Sequence, residues 1–242
     1  MKLACASGAF DRTIQRGDLT QLEFIETCAR DFTCDGVVLD VRHFPRIDAD
    51  YLAQVKKFTT ELGLCIAALY DDAFFGGDAD AMARTLGLAV NLGAPLLSGR
   101  LARDTTFTWS EQLERLNVAT GLAKASNVTL ALRNAPQTFA ASTYDCKRAI
   151  KQADSAWLEF GLETQAFDAA SDCAPLASKT VLLWCAIGEQ NEAAVDRLLR
   201  EFDEFLGYLV LDEPSGTATP GDMRSAIRSY RIALATKELN RT

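Results

Sequence analysis

The stretch TVLLWCAIGEQNEAAVDRLLREFDEFLGYLVLD (Thr180–Asp212) holds the pattern that decides the fold. Its opening run, Val181-Leu182-Leu183-Trp184, is apolar without alternation, as expected of a strand buried on both faces. A helical stretch follows. Val195, Leu198, Leu199, Phe202 and Leu206 fall on one face, and Asp196, Arg200 and Asp203 on the other. The segment closes on a second apolar run, Tyr208–Asp212. Strand, helix and strand in that order make one parallel β/α/β unit.

The same beat runs outward through the chain. Strand candidates are Leu3–Ser7, Gly36–Val41, Leu64–Tyr70, Ala94–Ser98, Val128–Asn134, Trp157–Glu163, Thr180–Ala186 and Tyr208–Asp212. They recur roughly every thirty residues, the length of one strand–helix unit with short loops. Met223, Ala226, Ile227, Tyr230 and Leu234 repeat the helical spacing near the C-terminus. Thr108 with Glu111, and Asp18 with Gln21, have capping-box form, and Thr219 stands as a cap before Pro220. Eight alternations in 242 residues predict an α/β fold, a single closed (β/α)8 TIM barrel, which typically needs about 250. With no low-complexity linker, residues 1–242 read as one domain. An open doubly wound sheet would advertise a glycine-rich turn after the first strand, and Ser7-Gly8-Ala9-Phe10 has no G-x-G-x-x-G.

Composition narrows the function. Apolar residues make up 48% of the chain, so burial is not limiting, and no run is long and apolar enough to predict a membrane span. Met1–Phe10 reads as a first strand rather than a signal peptide, because Ser7, Gly8 and Asp11 interrupt its short apolar run. The seven cysteines are odd in number, form no C-x-x-C pair and mostly sit in apolar contexts. They suit small core residues in a reducing compartment, so a cytoplasmic location is expected. A net charge of −8 argues against nucleic acid as a main partner, and the single histidine, His43, excludes any site needing two.

In a barrel of this kind chemistry sits at the C-terminal strand ends. The polar residues there are Asp40, Arg42 and His43 after the second strand, Asp71 and Asp72 after the third, and Arg100 after the fourth. Arg133 and Asn134 end the fifth, Glu163 and Gln165 the sixth, and Asp212 and Glu213 the eighth. Glu189 follows the seventh. Arg42, Arg100 and Arg133 could converge on one rim and, with backbone amides of the Gly216–Asp222 loop, hold an anionic ligand. Solvated or salt-bridged arginines account for the pattern equally. His43 could contact substrate or carry a proton, or be an ordinary loop residue. Phe74-Phe75-Gly76-Gly77 could cover a ligand or pack over the barrel end.

Val128-Thr-Leu-Ala-Leu-Arg-Asn-Ala-Pro136 resembles the fifth-strand segment of the xylose-isomerase-like sugar isomerases and epimerases, which commonly reads like V-T-L-A-L-E-N-H-P. Gly36-Val-Val-Leu-Asp40, Trp157–Gln165 and Gly207–Glu213 carry the resemblance more weakly. It implies a TIM barrel acting on a sugar or sugar phosphate through a divalent metal held by Glu, Asp, His and Glu on strands five to eight. Carried over, those positions hold Arg133, Glu163, Trp184 and Asp212, while Ala135 and Ala166 stand where relatives often place histidines. Asp40 matches an acid that relatives carry on the second strand, and a salt bridge to a rim arginine explains it as well.

A permanent guanidinium cannot ligate a cation, and at about 4 Å it repels one by several kcal/mol. Neither a metal nor another cofactor is therefore expected. Arg133 could pair with Glu163 and Asp212 in the metal's place, or extend toward solvent. Trp184 could stack on a sugar or plug the cavity. Two functions remain. One is a divergent carbohydrate isomerase or epimerase with Glu163 or Asp212 carrying protons and Arg133 stabilising an enediolate; Asp40, Arg42, His43, Arg100, Asn134, Gln165, Trp184 and Glu213 would bind substrate. The other is a non-catalytic barrel that binds an anionic metabolite or a protein partner. An open pocket with a free carboxylate favours the first, and a centre neutralised by Arg133 beneath Trp184 favours the second. A small-molecule carbohydrate or anionic metabolite is the expected partner, neither nucleic acid nor membrane is expected, and self-association into a homo-oligomer is left open.

Overall fold

The computed structural model describes residues 1–167, 173–188 and 192–239. Eight parallel strands close into a barrel in chain order: β1 (Lys2–Ala6), β2 (Gly36–Asp40), β3 (Cys65–Tyr70), β4 (Leu96–Arg100), β5 (Thr129–Arg133), β6 (Leu158–Glu163), β7 (Thr180–Ala186) and β8 (Tyr208–Asp212). Closure comes from β8 pairing with β1, Lys2 opposite Tyr208. Around the barrel run α1 (Asp11–Gln15), α2 (Gln21–Arg30), α3 (Ala49–Glu61), α4 (Ala79–Leu92), α5 (Trp109–Ser126), α6 (Thr143–Ala153), α7 (Glu192–Glu201) and α8 (Pro220–Leu239). The described residues between β6 and β7 form 3-10 turns at Thr164–Ala166 and Ala174–Lys179. Among the described residues no helix is long and apolar enough to cross a membrane.

Three local expectations shift. β4 runs to Arg100, two residues beyond the apolar pattern, because Gly99 continues the strand. A Cβ there would lie 2.5 Å from the carbonyl oxygen of Asp71, so only a bare backbone fits. The cap of α2 is Thr20, whose hydroxyl accepts from Glu23 N–H at 3.2 Å while Glu23 accepts from Thr20 N–H at 2.8 Å. Asp18 pairs instead with Arg16, and Gln21 turns inward. The α7 helix stops before Leu206, which is 83% exposed, and Phe205 takes the apolar position against Phe202. The box at Thr108/Glu111 forms as its spacing predicts, and Thr219 caps α8 ahead of Pro220, its hydroxyl accepting from Asp222 N–H at 3.2 Å.

Two apolar layers result. The larger lies between the strands and their helices, where Val195, Leu198, Leu199, Phe202, Met223, Ile227 and Tyr230 are all buried. The smaller fills the barrel interior: Ala4, Ala6, Ala67, Ala68 and Ala131 surround Tyr70 and Trp184. Small residues on five positions offset the volume of two large rings at native packing density. All the cysteines but Cys65 are buried, as expected of small core residues.

Candidate functional site at the C-terminal mouth

A side-chain period of two sets the centre. Ala131 and Arg133, Gly161 and Glu163, Leu182 and Trp184, and Val210 and Asp212 point inward from β5, β6, β7 and β8. In each pair the lower residue is apolar or lacks a side chain, and the upper one reaches the mouth. Register places Glu163 beside Trp184, and Arg133 beside Gly161. The bare Gly161 backbone makes room for the indole, since a Cβ there would lie 3.1 Å from Trp184 Nε1.

Arg133 is 2% exposed and shared between two carboxylates. Its Nε donates to Glu163 Oε2 at 3.1 Å, its Nη2 also meets that oxygen, and Nη2 donates to Asp212 Oδ2 at 2.9 Å. The guanidinium carbon stands 3.8 Å from the Trp184 ring centroid and 5.4 Å from that of Tyr70. The two rings meet edge-on at 5.3 Å. Burial on its own favours a neutral arginine, but the charges of Glu163 and Asp212 outweigh it and hold the group more firmly protonated than in water. Asn134 fixes the frame from below. Its Oδ1 accepts from Glu163 N–H at 2.7 Å and its Nδ2 donates to Glu163 O at 3.2 Å. Asp212 Oδ1 accepts from Glu213 N–H at 2.9 Å, so both oxygens of Asp212 carry a donor.

Above this triad opens a cavity of about 480 Å³, lined by Arg133, Trp184 and Asp212 and walled by Asp40, Arg42, Arg100 and Glu213. The three arginines do converge, as their strand positions predict, but each meets an acid. Arg42 grips Asp40 with Nε at 3.1 Å from both oxygens and Nη2 at 2.7 Å, and lies 3.3 Å from Asp11. Those bonds to Asp40 hold Arg42 more firmly charged. Arg100 approaches Asp72 at 3.5 Å, and Asp72 also accepts from the Tyr70 hydroxyl at 2.6 Å. Burial pushes that phenol well above its ordinary range.

Four of the sequence-derived candidates lie off the cavity. The side chain of His43 is fully enclosed, with Nδ1 2.8 Å from Ser7 Oγ and Nε2 2.8 Å from Asp11 Oδ1. Ser7 Oγ also accepts from Asp40 N–H at 2.9 Å, so Asp40, Ser7, His43 and Asp11 form one hydrogen-bonded chain. Gln165 is exposed on the turn after β6, Asn134 is buried, and Glu163 is not among the residues that line the cavity. Phe74 and Phe75 are packed, with Phe75 O accepting from Gln112 Nε2 at 3.1 Å. Glu189 lies outside the described residues. Asp11 and Tyr70 line the cavity without having been singled out. Tyr70 carried a signal as the last residue of an apolar strand, while Asp11 sits five residues past β1 in a turn with no motif.

A closed parallel barrel with a charged cavity over its C-terminal strand ends is the (β/α)8 TIM-barrel architecture. Three solved structures with this fold stand for many. A xylose isomerase domain protein from Alicyclobacillus acidocaldarius superposes with TM-score 0.76 at 12% identity, covering 98% of this chain and 99% of that one. A D-psicose 3-epimerase, crystallised in the presence of D-fructose, gives 0.73 at 14% identity over 99% of both chains. A fusion of a xylose-isomerase-like TIM barrel with 4-hydroxyphenylpyruvate dioxygenase gives 0.72 at 15% identity, and this chain spans 44% of its length. At these identities the likeness is one of fold. No family model and no curated protein matches the sequence.

Proposed function

We propose that the chain is a carbohydrate-binding β/α barrel in which Arg133 supplies the central positive charge and no divalent metal takes part. One observation carries this: a single buried guanidinium is shared by Glu163 and Asp212 and stacked on Trp184. These residues do not fit a divalent metal ion. Among the described residues, the central carboxylates Glu163 and Asp212 already bind Arg133, the guanidinium stands between them where a metal would have to sit, and the indole donates no lone pair. Support for a carbohydrate comes from the fold neighbours, among them the D-psicose 3-epimerase, and from a cavity of about 480 Å³ walled by hydrogen-bonding groups and two aromatic rings. The whole chain acts as one domain in this reading, and its mostly buried cysteines suit the cytoplasm.

A second reading, proton transfer on a sugar or sugar phosphate, is favoured by Asp212 lining the cavity beside Arg133. Asp212 would carry the proton and Arg133 would stabilise the enediolate. The first reading stands ahead because both Asp212 oxygens hold donors and Glu163 is bound to Arg133. Incubation with D-fructose or D-psicose in D₂O, followed by proton NMR, separates them. The first reading expects saturation transfer from protein to sugar with no loss of sugar C–H signals. Deuterium exchange at carbon that Asp212→Asn abolishes would establish the second.

A further inference from the structure

Among the described residues the arginines at this mouth already face acids, although Arg100 Nε itself has no partner. Arg42 is held by Asp40 and Asp11, Arg133 by Glu163 and Asp212, and Arg100 faces Asp72. The loop before α8, where such barrels often take a phosphate, is closed on itself. Gly216 N–H donates to Glu213 O, Ala218 N–H to Ala9 O, Thr219 N–H to Asp222 Oδ2 and Asp222 N–H to Thr219 Oγ1. The acidic first turn of α8 further disfavours an anion there.

The charge that remains is negative. Six carboxylates (Asp11, Asp40, Asp71, Asp72, Asp212 and Glu213) and three guanidiniums line the cavity, leaving a formal excess of three negative charges. Two of the six have only neutral donors as partners among the described residues. Asp71 accepts from Ala73 N–H at 3.0 Å and from the Thr85 hydroxyl at 3.1 Å, and Glu213 accepts from Ser215 N–H and its hydroxyl. Burial, with Asp40 and Asp72 nearby, pushes the Asp71 carboxyl above its ordinary range. A cation in the cavity would reverse that shift. Trp184 lines the floor at 1% exposure and offers the cavity an aromatic surface, its indole N–H lying against Gly161. Resting on the carbohydrate reading above, we infer that the preferred ligand is a polyhydroxylated amine, such as an amino sugar, and that phosphorylated sugars are rejected.

Isothermal titration calorimetry at neutral pH with D-fructose, 1-amino-1-deoxy-D-fructose and D-fructose 6-phosphate tests this. The amine is expected to bind about tenfold more tightly than D-fructose, as one charge-assisted hydrogen bond allows, and the phosphate more weakly than either. Asp71→Asn and, separately, Glu213→Gln each bring the amine-to-fructose affinity ratio toward one, so the test survives if one variant fails to fold. Amine binding no tighter than D-fructose, or phosphate binding tightest, overturns this inference and leaves the carbohydrate reading standing. Binding of none of the three overturns both.

Discussion

Replacing Arg133 with alanine is expected to cost about 3–5 kcal/mol of folding stability, the range for removing one partner of a buried ion pair. Two carboxylates then face each other in a dry centre with no cation. The sign of the pH dependence follows. Burial and mutual repulsion raise the carboxyl pKa values in the folded variant above their unfolded values of about 4. The folded variant then binds more protons than the unfolded chain, so its stability falls as pH rises through the raised values. The gap from the wild type should therefore exceed its pH 5 value at pH 8 by about 1 kcal/mol or more, one pKa unit being worth about 1.4 kcal/mol. Arg133→Lys keeps the charge but loses the planar fork and the stacking on Trp184, and should fall between. Urea unfolding at the two pH values measures this; a gap that does not change with pH would remove the electrostatic account of the triad.

Trp184→Ala should be comparably severe, at about 3–5 kcal/mol, the usual range for emptying a buried aromatic site. The surrounding Ala4, Ala6, Ala67, Ala68 and Ala131 are small and sit on rigid strands, so the hole cannot be filled by nearby side chains. Arg133 also loses the ring it rests on at 3.8 Å. Trp184→Phe keeps most of the volume and should cost less than half as much. Chemical denaturation of both variants checks this; a loss under about 1 kcal/mol for the alanine variant would mean that the indole does not plug the barrel.

The barrel was legible because strands buried on both faces, such as Val181–Trp184, cannot hide their apolar run among polar alternation. The limits of legibility are equally physical. Gly99 and Arg100 read as a turn because glycine and arginine carry no strand signal, and only the nearby Asp71 carbonyl explains why the strand passes through them. Two overlapping capping-box spacings compete at Asp18 and Thr20, and tertiary burial of Gln21 goes with the second. At the site, Arg133, Glu163 and Asp212 could be placed together because each ends an inward-facing strand. His43 could not be placed, since its enclosure depends on Ser7 and Asp11, which lie 36 and 32 residues away in sequence. Gln165 falls one turn past its strand, where direction is no longer set by pleat.

In the proposed function, Arg133 supplies the positive charge and no divalent metal binds at the barrel mouth. Elemental analysis of protein purified without chelator, and again after dialysis against manganese or cobalt and removal of excess, tests it most directly. No stoichiometric divalent ion is expected in either sample. One equivalent of metal per chain, lost in Asp212→Asn, would contradict it.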